Sequence, residues 1–391
     1  MEISMKRYRL LYIGILLANL IITFFFNSLY ILVINFIMLI IPCIFYLLLR
    51  RQISAMLIEL DVPYSGYAGR ELDISVLVKS RRAYLAVGMM DVYIRIFNTM
   101  FEEESVHKIR IACNKKSNRY VYTFLPELCG QIKFECEKIV CTDALGIFTK
   151  KLKTNITGTT IVYPGARTLN VVREKQPQGY IPGAVYYQER KGNDAGEVYD
   201  MREYNPGDDI RHIHWKLSSK HEDLIYREMS EPSNYYTMLL FDAGTGPDIT
   251  KKMQQMAVSI SISISEQLVY MGHAHYIGIP TSGGIYGVAV RESSDYSKMM
   301  EEWMGIPITE EAGAGIKYFL ADNLEMRYTK LIYVTAGIYP RELEHAADNM
   351  NVTVVCVTKE GEAIRSTESN GCWIVELPIG LSYDSVFNIT I

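Results

Sequence analysis

Forty consecutive residues, Leu10 to Leu49, carry no charged side chain. As one helix they would extend roughly 60 Å, about twice the thickness of a hydrocarbon core. Length therefore excludes a single span. Asn27 and Ser28 interrupt the run after Phe26, so the sequence predicts a hairpin, Leu10 to Phe26 and Leu29 to Leu49, within a first domain of residues 1–51. A cleavable signal peptide would need a small-residue cleavage site after the first apolar segment, and here a second apolar segment begins at once. Lys6, Arg7, Arg9, Arg50 and Arg51 flank the open ends and no basic residue sits at the tip. The positive-inside rule then predicts a multi-pass anchor in the cell membrane with both termini cytoplasmic, and the lipid bilayer as a partner. Pro42, late in the second span, is tolerated where neighbouring groups re-satisfy the freed backbone.

The formal charge of the 391 residues is −4, but residues 1–51 carry +4, which leaves −8 on the remainder. An acidic soluble part argues against nucleic acid as a partner, because phosphate neutralisation needs a basic face. The seven cysteines are odd in number and include no C-x-x-C pair. Such usage predicts a reducing compartment and no structural zinc, with Cys136 and Cys141 as core thiols.

Residues 52–165 show period-two patterning. Leu72, Ile74, Val76 and Val78 alternate with polar residues, as do Ile132, Phe134 and Cys136. Further strands are expected at Val92–Phe97, Lys108–Ala112 and Arg119–Phe124. Strict alternation puts one face in a core and the other in water, which predicts an all-β sandwich-like domain. Residues 166–232 are rich in Gly, Pro and polar side chains and are read as a linker. From 233 to 391, short apolar runs (Tyr236–Phe241, Tyr276–Ile279, Lys330–Val334, Val352–Val357) alternate with segments of helical length (Asp248–Met271, Ser294–Trp303, Gly315–Met326, Pro340–Met350). That order predicts an α/β domain with a mostly parallel sheet. The Ile-Ser alternation of 259–265 could serve a strand, and its long flanks favour helix.

Residues 196–228 carry the densest set of distinctive side chains. Asn205-Pro206-Gly207-Asp208 has turn chemistry, with Pro presetting φ and Gly accepting a positive φ. Ile213, Trp215 and Leu217 alternate with His212, His214 and Lys216, which predicts a short strand with Trp215 on its buried face. Arg202 and Arg211 lie within reach of Asp208 and Asp209, a pattern suited to bidentate pairing. Gly196, Arg202, Tyr204, Pro206, Gly207, Asp208, Arg211, Ile213, Trp215, Lys216 and Ser218, continued by Leu224, Arg227 and Glu228, resemble the signature of the family called domain of unknown function 58. Thr142-Asp143-Ala144-Leu145-Gly146-Ile147-Phe148 and Val162-Tyr163-Pro164 extend the likeness. The resemblance implies a membrane-anchored cytoplasmic protein whose C-terminal domain is like a von Willebrand factor A domain, working beside a MoxR-type AAA+ ATPase and client proteins.

Domains of that type often hold Mg²⁺ through Asp-x-Ser-x-Ser and a later Thr and Asp. In Asp242-Ala243-Gly244-Thr245-Gly246 both hydroxyl positions are glycine, and Ala336 stands where a later carboxylate is expected. Asp242, Thr245 and Thr335 are left as metal candidates, too few oxygens for a hard cation, so no cofactor is expected and Mg²⁺ is the alternative. The competing role for Asp242 is capping a helix that starts near Pro247 or Asp248. Gly244-Thr245-Gly246 fails as a dinucleotide fingerprint because its third glycine is Ile249, and no Walker A sequence occurs. His212 with His214, and His273 with His275, would each share a strand face, but two imidazoles do not make a metal site. Trp303 and Trp373 are read as core or groove residues. Two readings of the motif stand. In one, Arg202, Asp208, Arg211, Trp215, Lys216 and Glu228 orient the domains of an adaptor or scaffold. In the other, a hydrolase or cell-envelope processing enzyme has a site around Asp208 and His214, with Asp208, His212 and His214 as the candidate bases.

Overall fold

The computed structural model describes residues 2–26, 29–80, 87–112, 117–165, 169–172, 185–192, 198–205, 208, 210–221, 223–233, 237–337, 340–380 and 387–390. The chain divides into two units, Met1–Pro164 with Trp303–Pro307, and Gly165–Glu302 with Ile308–Ile391.

The first unit begins with α1 (Glu2–Phe26) and α2 (Leu29–Ile53), two helices long and apolar enough to cross a membrane. Their side chains are largely exposed: Phe24 is 86% and Leu47 62% accessible, which an aqueous surface would not sustain on so long a stretch. Between them, Asn35 Nδ2 donates to Thr23 Oγ1 at 2.5 Å and to the Asn19 carbonyl at 3.3 Å. Asn27 and Ser28, the expected hairpin tip, lie outside the described residues.

Eight strands follow: β1 (Met56–Asp61), β2 (Ser65–Tyr67), β3 (Leu72–Ser80), β4 (Val87–Asn98), β5 (Glu103–Ala112), β6 (Ser117–Phe124), β7 (Gly130–Asp143) and β8 (Thr149–Tyr163). They form one sheet of order β1-β3-β6 and another of order β2-β8-β7-β4-β5. Inward residues of both sheets, Ile74, Val76 and Val78 from one and Ile94, Phe134 and Ile139 from the other, share one core. The expected sandwich is therefore present, with its strands longer than the sequence pattern suggested. Leu49 and Ile53, from the last turn of α2, are buried in the same core. Burial of each contributes about 1.5–3 kcal/mol, which fastens the helix to the sandwich. Cys136 and Cys141 are core thiols, and the six described cysteines are free.

In the second unit the expected linker holds structure of its own. β9 (Leu169–Val172) pairs with a C-terminal strand. β10 (Val185–Gly192) and β11 (Val198–Glu203) flank β12 (Ile225–Ser233) in an antiparallel sheet, and α3 (Trp215–His221) lies between β11 and β12 in sequence.

The α/β domain is built from β13 (Thr237–Phe241), α4 (Lys251–Tyr270), β14 (His275–Thr281), β15 (Gly284–Val290), α5 (Ser293–Met304), α6 (Ala314–Ala321), β16 (Lys330–Ala336), α7 (Glu342–Ala347), β17 (Asn351–Thr358), β18 (Arg365–Ser369), β19 (Cys372–Pro378) and β20 (Phe387–Thr390), the partner of β9. The order of its main sheet is β15-β14-β13-β16-β17-β19-β18. β14, β13, β16, β17 and β19 run parallel, and the two edge strands are antiparallel. Such strands are covered on both faces, α4 touching β13, β16 and β17, and α6 and α7 packing with Leu240, Tyr333 and Val354.

The Ile-Ser stretch is helical. Thr250 caps α4 by accepting from the Met253 N–H at 3.3 Å, and the hydroxyl of Ser261 donates to the Ala257 carbonyl at 2.9 Å. A buried helix can hold serines at this spacing where each hydroxyl is paired: Ser261 bonds one turn back, Ser259 donates to the Gly165 carbonyl, and Ser265 lies against the His275 ring.

Candidate functional site

Two places in the second unit gather the distinctive residues. The first is the motif segment. Arg202 donates two parallel bonds to Asp208, Nη1 to Oδ2 at 2.7 Å and Nη2 to Oδ1 at 2.9 Å. Its guanidinium also lies over the ring of Tyr226, 4.7 Å from the centroid, its partner in the β11–β12 register. Asp208 Oδ2 further accepts from the Asn205 N–H at 2.9 Å. The carboxylate therefore closes the turn while the guanidinium fork ties that turn to the sheet, an arrangement that lysine could not reproduce.

Trp215 does not lie on a strand. A 3₁₀ turn at Ile210–His212 leads into α3, and Trp215, the first residue of α3, is 60% exposed. The physical reason is local. The ring Nδ1 of His214 accepts from the Leu217 N–H at 3.2 Å and its carbonyl accepts from the Ser218 N–H at 2.9 Å, so residues 214–218 close a helical turn. Ser218, buried, donates to the His214 carbonyl and accepts from the Ile225 N–H at 2.9 Å. It joins α3 to β12. The Tyr204 N–H donates to the Leu224 carbonyl at 2.7 Å, and Arg227 is half-buried on β12. Arg211 and Lys216 are exposed. Gly196, Pro206, Gly207 and Asp209, and the side chains of His212 and Glu228, lie outside the described residues.

As an acid–base pair Asp208 and His214 are poorly placed for chemistry. The carboxylate is held by Arg202 and a backbone N–H, and Nδ1 of His214 is spent on the helix end. A general base needs a free lone pair aimed at substrate.

The second place is the crevice at the carboxyl ends of β13 and β16, the point where the strand order reverses. Asp242 follows β13 and is fully buried. Its Oδ1 accepts from the Gly313 N–H at 3.1 Å, and Oδ2 from the Ile316 N–H at 3.0 Å and the Tyr333 hydroxyl at 2.9 Å. It therefore serves the amino end of α6, not the helix near Pro247, whose cap is Thr250. Burial pushes its pKa up, although the N–H groups of Gly315, Ile316 and Gly313 and the Tyr333 hydroxyl pull it back. Burial likewise holds Tyr333 well above its ordinary value, so it remains a donor.

The other metal candidates point elsewhere. Thr245 is exposed and its hydroxyl donates to the Glu310 carbonyl at 3.2 Å, while the buried Thr335 hydroxyl donates to the Asp242 backbone carbonyl at 3.2 Å. With both Asp242 oxygens occupied by protein donors, the three do not converge as cation ligands. Among the described residues no group of three or more His, Cys, Asp or Glu is placed to hold a metal ion. His275 is buried, its Nε2 2.8 Å from the hydroxyl of Ser265 and its Nδ1 3.0 Å from the His273 carbonyl. Trp303 is buried and Trp373 is 37% exposed.

The loop after Asp242 is anchored by Thr245, whose N–H donates to the Glu310 carbonyl at 2.7 Å and whose carbonyl accepts from the Ala312 N–H at 3.0 Å. Gly244 is required there, since a Cβ would stand 2.3 Å from the Glu310 carbonyl oxygen. These contacts leave an open cleft of about 330 Å³ with Pro247, Ile249, Ala312 and Pro340 as its apolar lining and Asp248 and Glu311 at its rim. Lys359 pairs with Asp248 at 2.9 Å.

Sequence reasoning missed Tyr226 beneath Arg202, and Tyr333 with the 313–316 backbone around Asp242. A single tyrosine in the aliphatic strand Leu-Ile-Tyr-Val was the available signal, because a buried hydroxyl needs a partner.

Residues 200–273 match the family model described as Protein of unknown function DUF58. The match spans Arg202 to the end of α4 and supports the resemblance drawn from the motif. No curated protein matches the chain. Solved structures that resemble part of it include the CARDB domain of the PF1109 protein from Pyrococcus furiosus, determined with di-metal ions, at 16% identity over 28% of this chain and 94% of that one, with a TM-score of 0.19. A cohesin module from a Clostridium perfringens family 33 glycoside hydrolase is 12% identical over 28% and 96%, with a TM-score of 0.22. Spo0M, a sporulation control protein from Bacillus subtilis, is 14% identical over 28% and 49%, with a TM-score of 0.19. Likenesses this weak carry no argument about this chain.

Proposed function

We propose that the chain is a membrane-anchored cytoplasmic adaptor whose α/β domain, of von Willebrand A type without a working cation site, binds a MoxR-type AAA+ ATPase and its clients. The observation that carries this reading is the cleft at the strand-order reversal, where open α/β sheets place their ligands. Its lining is largely apolar and backbone-built, with carboxylates only at the rim and Asp248 of these paired to Lys359, which suits docking better than bond chemistry. Exposed Trp215 and Ile210 in the motif segment, 60% and 61% accessible, add side chains of the kind that anchor protein interfaces. The order of the parallel strands, with the first of them central, supports the A-type reading. Packed apolar helices with basic open ends, together with free thiols, support a multi-pass anchor with both ends in the cytoplasm.

Full-length chain in detergent and a purified MoxR-type ATPase test the reading by size-exclusion co-elution. Co-elution that is lost in Gly246→Arg supports it. This variant fills the cleft, and its Cβ would meet only the Ile249 side chain, at 3.1 Å. Failure of the intact chain to bind the ATPase under any nucleotide state contradicts it. The hydrolase reading requires instead an activity that Asp208→Asn abolishes while binding persists.

A further inference from the structure

We propose that the β7–β8 end of the sandwich is an ionic contact surface for anionic phospholipid headgroups, so that the first unit sits on the leaflet instead of merely hanging from it. The inference rests on the membrane-anchor reading above and adds to it the lipid that this surface takes. The junction is fixed by three contacts. Arg9 Nη2 donates to Thr149 Oγ1 at 3.2 Å, the rings of Tyr46 and Phe148 lie 5.2 Å apart between centroids, and Leu49 and Ile53 enter the sandwich core. Arg9 is the last charged residue before the uncharged run, so the start of β8 is held at the level where that run enters the bilayer.

Immediately beyond Thr149 come Lys150, Lys151 and Lys153. At about 3.3 Å per strand residue, Lys150 and Lys151 stand within roughly 7 Å of Thr149, and Lys153 within roughly 13 Å. A Debye length of about 8 Å at physiological ionic strength brings the first two fully into the field of a charged leaflet and the third to its edge. Among the described residues none of the three has an ionic partner. Of the carboxylates on β4 and β7, Asp91 is matched by Lys108 and Arg110 and Glu137 by Arg95, while Glu135 pairs in register with Thr157, eight residues along β8 from Thr149. Asp143, the remaining acid at this end, is 2% exposed and accepts from the Phe148 N–H at 2.9 Å; it lies near Arg9 and leaves the three lysines in excess. With Arg9, Arg50 and Arg51 on the helix ends, the lysines continue the basic flank of the hairpin onto a folded domain. Charge complementarity assigns the occupant as an acidic headgroup such as phosphatidylglycerol.

The test uses the full chain in nanodiscs of phosphatidylcholine alone or with about one-third phosphatidylglycerol, probed by amine-directed labelling and mass spectrometry. Lys133, paired with Thr159 and so about 10 residues along β8 from Thr149, is the internal reference. The expected result is labelling of Lys150 and Lys151 at least threefold slower in the acidic discs, restored at about 1 M salt, with Lys133 unchanged. Equal rates in the two compositions, or slowing that persists in high salt, overturn the inference while leaving the anchor intact. A chain that does not enter nanodiscs overturns both.

Discussion

Asp242 offers the sharpest test of how the α/β domain is held together. Replacing it by Ala removes the acceptor for the Gly313 and Ile316 N–H groups and the Tyr333 hydroxyl, all buried. Each orphaned donor costs about 1–3 kcal/mol, and the raised pKa of the carboxyl shows that its own burial already costs part of what its bonds return. The net loss is therefore set at about 3 kcal/mol, below the sum of the three. Because two of the donors are the first turn of α6, the loss appears locally. Hydrogen exchange of the 313–321 amides, followed by mass spectrometry on the full chain in detergent, should accelerate on the order of 100-fold. Asp242→Asn keeps the shape and one acceptor oxygen but turns its NH₂ toward a donor, so its acceleration should be about tenfold. Unchanged protection of these amides in Asp242→Ala would refute the assignment of Asp242 as the cap of α6.

Other outcomes follow from the same contacts. Burial pushes the pKa of His275 from 6.5 down to about 4. The unfolded chain then takes up the proton first, so the stability this residue contributes is complete above about pH 6.5 and is lost as pH falls toward 4. The loss should reach about 2–3 kcal/mol by pH 4.5, and melting curves of His275→Asn should show a correspondingly flatter acid limb. Gly244→Ala should cost more than about 2 kcal/mol, read as a lowered melting temperature, because its Cβ meets backbone that the Thr245–Glu310 bridge holds in place. Arg202→Lys should loosen the 203–208 turn by about 1 kcal/mol through loss of the second bond to Asp208 and of the Tyr226 stacking, measured as faster chymotrypsin cleavage at Tyr204.

Elements whose pattern reflects their own burial were legible in the sequence. The uncharged run gave two apolar helices, the alternation of 72–78 and 132–136 gave the sandwich, and the apolar runs of the α/β domain gave its parallel strands. Trp215 was misplaced because five residues of alternation do not separate a strand from a turn of helix, and the deciding interaction is the His214 cap. Structure within 166–232 was hidden because β10 and β11 are paired by β12, far along the chain, and their composition is polar. Asp242 was misassigned for a related reason: its partners lie 71 to 91 residues away, and local spacing favoured a nearer helix. The edge strand β18, Arg-Ser-Thr-Glu-Ser, lacked the apolar run by which the central strands were found.

The adaptor reading is tested most directly by placing a photo-crosslinking benzoyl-phenylalanine at Thr245, on the exposed lip of the cleft, and irradiating the full chain with a MoxR-type ATPase. The account predicts one covalent adduct between the two proteins, mapped to Thr245 and suppressed by Gly246→Arg. Crosslinking that never yields the ATPase adduct, although the same probe at exposed Trp215 does, would contradict the cleft as the docking site.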